Sequence, residues 1–335
     1  MCEIDLSVVV IFYNQKKYVR QTIESILTQK TKYKIEILMG DDKSTDGTAE
    51  LLQEYQEKYP DICRYFELPK ENRRFEILER QTDNRIYLLQ YTKGRYVNFL
   101  DGDDYYLGDN KFEKQIDALE KHPECSASFH PYFYHWEDTN QEDTLYCDLG
   151  DEKKIISYKK YWRRYYAHSA AFIYRNIYKD RTSVLKGRIF DDNIITLWHL
   201  DNKDIIYIPD RCFAYRQLAD STWNKIDDID REIINLKACE DCLNIDNQLK
   251  NGLEKETILR FRKSYDYVAK ARKNGFEIRF LNDKFSDKSF VVRMSKFRKA
   301  NLFSKISTNL YLAGLKFSIF VSRVKGVISD KKTDR

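Results

Sequence analysis

The 335-residue chain reads as an α/β protein, an open sheet flanked by helices, on three observations. Leu6-Ser7-Val8-Val9-Val10-Ile11-Phe12 is a continuous β-branched run, the pattern of a strand buried on both faces. Stretches of helical spacing follow it and the next strand-like run. Polar residues stand where these strands end, acidic ones after the second and after a later run, and in open α/β sheets ligands bind beyond the carboxyl ends of the strands.

After the first strand, Tyr13-Asn14-Gln15 turns the chain into a helix with apolar positions at Tyr18, Val19, Ile23, Ile26 and Leu27. A second strand, Ile35 to Met39, runs into Gly40-Asp41-Asp42-Lys43-Ser44-Thr45-Asp46-Gly47-Thr48 and then a helix from Ala49 to Tyr55. Ser44, Thr45 and Asp46 are helix N-cap types, so this turn is expected to cap that helix. Capping gives no reason for Asp41-Asp42 at the strand end.

A later strand-like run, Tyr96 to Leu100, stops at Asp101-Gly102-Asp103-Asp104. Carboxylates packed so closely repel each other unless a cation sits among them, and hard divalent cations prefer oxygen ligands. The alternative is a solvated acidic turn. An EF-hand fails on spacing, because Tyr106 stands where its glycine belongs and Phe112 where its bidentate Glu belongs. The chain carries no Gly-x-Gly-x-x-Gly and no Gly-Lys-Ser/Thr motif.

Val8 to Asn14, Glu36 to Thr48 and Leu100 to Asp104 together resemble the family 2 glycosyltransferases of the GT-A fold, of the bacterial surface-polysaccharide type. The resemblance is clear over about residues 5–120 and looser to about 225. It implies a Rossmann-like mixed sheet and an inverting transfer of sugar from a nucleotide-diphosphate donor, commonly a UDP-sugar. A divalent cation, Mn²⁺ or Mg²⁺, would sit on the diphosphate, and the acceptor would be a hydroxyl of a glycan or a lipid-linked glycan. By the same resemblance Phe12, Tyr13 and Asn14 hold the base and ribose of the donor, and Asp42 reads the nucleobase. Asp101 and Asp103 match the Asp-X-Asp pair around Gly102, with Asp103 a direct cation ligand and Asp104 an accessory one. Arg85 falls near the donor, although Asn84-Arg85-Ile86-Tyr87 departs from the family's small-residue surroundings and equally fits an exposed helix arginine.

Inverting transfer requires a general base for the acceptor hydroxyl, usually Asp or Glu. In the family it opens a helix well after Asp-X-Asp. Gly187-Arg188-Ile189-Phe190-Asp191-Asp192 precedes Asn193 to Trp198 at that place, so Asp192 is the expected base, with Asp191 as the alternative. Both also suit a plain helix cap. Flanking segments support the alignment: His168 to Arg175 before the base, Ile205 to Asp210 and Ala214-Tyr215-Arg216 after it. His168 reads as a buried histidine beside the site. Tyr215, Arg216, Ser221 and Trp223 are expected to form a flap over the donor.

By this resemblance the chain is expected to divide into a glycosyltransferase domain at 1–225 (a nucleotide-sugar half at 1–104, an acceptor half at 105–225), helices at 226–287 and a basic tail at 288–335. From Lys288 onward 12 Lys and Arg face 2 Asp and Glu, in a chain whose formal net charge is only +5. Its longest uncharged run, Ile306 to Leu315, is far shorter than the ~20 residues that span a bilayer. An amphipathic helix on an anionic leaflet fits the tail, with a homodimerisation or core-packing helix as the rival. Nucleic acid is excluded because no recognition fold accompanies the charge. Seven scattered cysteines, with a single Cys239-x-x-Cys242, argue against zinc and for a reducing compartment. With no basic leader before Leu6, the expectation is a cytoplasmic protein peripheral on the inner face of the membrane. A nucleotidyltransferase and a non-catalytic sugar-nucleotide scaffold are the other readings.

Overall fold

Leu6–Phe12 forms β1, and Leu6, Val8, Val9, Val10 and Phe12 are each at most 1% exposed, as a strand covered on both faces should be. It pairs in parallel with β2 (Ile35–Asp41) on one side and β4 (Tyr96–Asp101) on the other, and β3 (Cys63–Glu67) extends the sheet beyond β2. Helices α1 (Lys16–Leu27), α2 (Thr48–Lys58) and α3 (Leu78–Leu89) make the crossovers. Val19, Ile23 and Ile26 are the buried apolar stripe of α1. In this register Phe12 lies opposite Asp41, and Ile11 opposite Asp101. The three strand ends therefore deliver their following residues to one place.

The computed structural model describes residues 4–69, 78–137, 143–177, 192–218, 221, 226, 228–264 and 266–267, all within one compact unit, Met1–Leu281. Asp191, Trp223 and the basic tail lie outside these residues.

Beyond β4 the sheet becomes mixed. β10 (Phe172–Arg175) runs antiparallel to both β4 and β6 (Cys125–Phe129), followed by β11 (Asp204–Tyr207) and β9 (Lys154–Ile156). The order is β3-β2-β1-β4-β10-β6-β11-β9. Because β10 is antiparallel to β4, the segment that leads into it arrives beside the end of β4, which brings residues 166–171 to Asp101. A second sheet, in the order β5-β12-β7-β8, is built from Tyr105–Tyr106, Phe213–Gln217, Tyr132–Trp136 and Thr144–Tyr146.

The remaining described helices are α4 (Lys111–Lys121), α5 (Tyr158–Arg164), α6 (Asp192–Leu200), α7 (Asp228–Leu249) and α8 (Glu254–Arg260). Every residue of α6 after Asp192 is buried, and α7 packs against it. The chain turns between α7 and α8 at Gly252, whose φ of +68° favours glycine. Among the described residues no helix is long and apolar enough to cross a membrane.

Candidate active site

The loops after β1 and β2 are tied to each other. Asn14 takes a left-handed φ of 51°, which asparagine tolerates, and its backbone N–H donates to Ser44 Oγ at 2.9 Å. Its side-chain Oδ1 accepts from the Thr45 N–H at 2.8 Å. Asp46 serves two helices at once: Oδ2 accepts from Lys16 N–H, the first residue of α1, and Oδ1 from Thr48 N–H, the first of α2, both at 3.0 Å. Partial burial works against the Asp46 charge, yet the Thr48 hydroxyl, which donates to Oδ1 at 2.6 Å, and these N–H bonds hold its carboxyl below the usual range. The turn 44–46 thus does more than cap α2, for Ser44 and Thr45 hold Asn14. Tyr13 is 49% exposed beside them, whereas Phe12 is buried. Asp42 is buried, with its N–H bonded to Phe12 O at 2.9 Å.

At the end of β4, Gly102 has no room for a Cβ, which would collide with Phe12 and Gln15. This close approach lets the acidic turn fold back on β1. Asp101 Oδ1 receives a bond from Arg85 Nη2 at 2.7 Å, so Arg85 is a buried partner of the acidic turn and not an exposed helix arginine. Asp103 is half-buried, and burial together with neighbouring Asp101 pushes its carboxyl up to about 6. Asp104 is fully buried; burial and the charges of Asp103 and Asp101 raise its pKa well above the usual value. Its Oδ1 accepts from Arg216 N–H at 2.8 Å, while Oδ2 is buried without a hydrogen-bond partner.

Arg216 is the residue whose role the sequence did not disclose. Expected in a flap, it is instead 5% exposed in β12 and locked to the acidic turn. Nε donates to Asp103 O at 2.6 Å, Nη2 to Gln21 Oε1 at 2.5 Å, and Nη1 pairs with Glu137. The guanidinium also lies over the rings of Tyr18 and Tyr105. Tyr215 belongs to the same strand, Ser221 is half-buried, and Trp223 lies outside the described residues.

Asp192 opens α6 opposite this turn. Oδ1 accepts from Ser169 N–H and Oδ2 from Tyr166 OH, both at 2.8 Å. Burial opposes its charge, but His168, Arg85 and the Ser169 bond together hold the Asp192 carboxyl below the usual range. His168 is 5% exposed, and its Nε2 lies 3.7 Å from Asp101 Oδ2 and 3.9 Å from Asp192 Oδ2. Its Nδ1 accepts from Ala170 N–H at 3.3 Å, which puts the proton of a neutral ring on Nε2, facing both carboxylates.

Ligand atoms of Asp101, Asp104 and His168 lie within 4.8 Å of one another, and Asp103 is not in that group. The orphaned Oδ2 of Asp104 and the crowded carboxylates fit a hard divalent cation. His168 fits less well as a ligand, because the Ala170 bond leaves its lone pair on the wrong nitrogen.

The family model of glycosyl transferase family 2 matches residues 7–182, and the chain belongs to that family. An uncharacterized protein of Mycobacterium tuberculosis is 27% identical over 234 residues, 65% of this chain and 60% of its own length. The chain thus spans about 60% of the length of the curated mycobacterial relatives it matches. The minor teichoic acid biosynthesis protein GgaB of Bacillus subtilis is 32% identical over 119 residues, 35% of this chain and 12% of that protein. Among solved structures, S. aureus TarS 1–349 in complex with UDP-GlcNAc superposes with a TM-score of 0.55 at 18% identity, over 82% of this chain and 76% of that one. That likeness carries the GT-A fold, a mixed α/β sheet flanked by helices.

Proposed function

We propose that the protein transfers a sugar, with inversion, from a UDP-sugar to a hydroxyl of a glycan or lipid-linked acceptor in surface-polymer synthesis. The observation that carries this reading is the facing pair of acidic groups: Asp101, Asp103 and Asp104 at the end of β4, and a separately held Asp192 at the start of α6. Their pKa values are driven apart, upward in Asp103 and Asp104 and downward in Asp192, the pattern of carboxylates with different tasks. UDP-GlcNAc in the TarS complex supports a UDP-sugar, and the teichoic acid role named for GgaB supports a surface polymer.

In this reading Tyr13, Asn14 and Asp42 hold the nucleoside, and Phe12, expected there too but wholly buried against Gly102, supports them from beneath. Asp101, Asp103 and Asp104 would hold Mn²⁺ or Mg²⁺, which when bound offsets the charge of the departing diphosphate. Asp192 takes the proton of the acceptor hydroxyl as its oxygen bonds to the anomeric carbon. The bond to the diphosphate oxygen breaks on the opposite side, inverting the configuration. Tyr166 and Ser169 fix the Asp192 carboxylate in place, and Arg85 orients Asp101. Asp191, beyond the described residues, is the alternative base.

Incubation with a panel of nucleotide sugars and Mn²⁺, following nucleoside diphosphate release, tests the reading. Release of pyrophosphate would make the protein a nucleotidyltransferase, and binding without turnover a scaffold. Peripheral attachment to the inner membrane leaflet through residues 288–335 rests on their charge balance. It predicts that a chain ending near Ala300 loses sedimentation with anionic liposomes.

A further inference from the structure

We propose that the aromatic face of the four-stranded sheet binds a pyranose ring of the acceptor glycan, an inference that rests on the transfer reaction proposed above. Side chains alternate between the faces of a strand, and paired residues share a face. The register pairs Tyr215 with Tyr134 and Tyr132 with Tyr146, so these four tyrosines stand on one face. Arg216, one residue further along β12, turns to the other face and the acidic turn. Arg216 thus grips the acidic turn from one face of the small sheet, while the tyrosines stand as an aromatic wall on the other, with Tyr215 beside His168.

That wall is graded. Tyr132 is buried at its base, while Tyr134 and Tyr215 are half-buried and Tyr146 is 40% exposed. The rings of Tyr134 and Tyr146 stack at 3.8 Å with an interplanar angle of 20°, and Tyr215 meets Tyr134 edge-on at 5.2 Å.

The wall leads directly to Asp192. His168 packs on Tyr215 at 4.6 Å between ring centroids and points Nε2 toward the Asp192 carboxylate, and Tyr166, itself 44% exposed, bonds that carboxylate. An acceptor hydroxyl must come within about 2.6–3.2 Å of its base, so the ring that bears it extends onto these side chains.

The chemistry of the wall selects the ligand. A pyranose has an apolar C–H face and a rim of hydroxyls. The negative face of a tyrosine ring attracts the C–H groups, and tyrosine hydroxyls donate to and accept from the rim. A polyol phosphate chain has no flat apolar face and would bring anions toward Asp101 and Asp192.

The test is ligand-observed NMR of methyl pyranosides (glucoside, galactoside and N-acetylglucosaminide) with the protein, UDP and Mn²⁺, comparing Tyr146→Ala and Tyr146→Phe. At least one pyranoside should bind the unaltered protein. Tyr146→Ala should weaken it about five- to tenfold, the loss of one stacking partner, and Tyr146→Phe should hold it within about twofold. UDP affinity by calorimetry should not move in either variant, which separates a lost wall from a misfolded protein. Three results overturn the assignment: no pyranoside bound, binding indifferent to Tyr146→Ala, or glycerol phosphate oligomers bound through Tyr146 in their place. If the unaltered protein cleaves a UDP-sugar and any of these occurs, the acceptor assignment alone fails. Absence of all UDP-sugar turnover instead removes the reaction on which it rests.

Discussion

Arg260 of α8 donates from Nε to Asn193 Oδ1 at 2.8 Å, and Asn193 is the residue that follows Asp192. Its Nη1 also bonds the carbonyl oxygens of Trp162 and Tyr165, at 2.9 and 2.6 Å, and its guanidinium lies over the rings of Trp162 and Tyr166. Tyr166 in turn holds Asp192. One arginine far beyond the region matched by the family model therefore braces Tyr166, one support of the proposed base, and Asn193, the residue that follows it. Arg260→Met is expected to lower kcat about ten- to a hundredfold, the cost of a small misplacement of a catalytic group, with UDP affinity unchanged. Lysine cannot reproduce the fork and should rescue little. A variant that loses UDP affinity while keeping kcat would contradict this role.

Asp192→Asn preserves the acceptor of the Ser169 N–H bond and a good helix-start residue, so the fold should persist, with a loss of stability because the folded protein favours the charged carboxylate. Turnover should fall roughly 10²- to 10⁴-fold, the usual contribution of a general base, while UDP affinity stays within a few fold. Steady-state kinetics beside calorimetry decide it. Near-normal turnover would move the base to Asp191 or elsewhere.

Asp103 shares one turn with Asp101 and Asp104, and burial together with the Asp101 charge makes its own charge costly. Asp103→Asn should therefore raise the melting temperature of the metal-free protein and abolish the gain in UDP affinity that Mn²⁺ provides. Calorimetry with and without Mn²⁺ measures the second effect. An undiminished Mn²⁺ effect would leave Asp101 and Asp104 as the cation ligands.

The polar end of β1 and the two acidic strand ends, of β2 and β4, were legible because each is local: an apolar run, then polar residues whose only structural use is a short turn. The placement of β10 between β4 and β6 was not, since antiparallel insertion of a late strand is a non-local pairing without a signature inside the strand itself. For the same reason the sequence showed Ser44 as a cap and hid its bond to Asn14, 30 residues away. Arg216 was visible as part of a Tyr-Arg pair, but a buried arginine and a flap arginine look alike until their partners are known. Arg260 carried no signal beyond a helical pattern, because its importance lies entirely in what it touches.

Lys111 is 1% exposed, bonded to Gln115 Oε1 at 2.7 Å and placed over the ring of Tyr106. Burial pushes its pKa down to about 7 from an ordinary value of 10.5. The folded protein thus sheds this proton near pH 7, whereas the unfolded chain keeps it to about pH 10.5. Between those values the unfolded state binds more protons, so this residue makes stability rise with pH across that window. Buried tyrosines and cysteines, with raised pKa values, act in the opposite sense, and the informative quantity is the difference between the unaltered protein and Lys111→Met. Urea unfolding at pH 7, 8, 9 and 10 should show the methionine variant more stable at pH 7. Its advantage should shrink by an amount on the order of a few kcal/mol as the pH rises. A difference that stays flat over this range would mean that Lys111 remains charged in the folded protein.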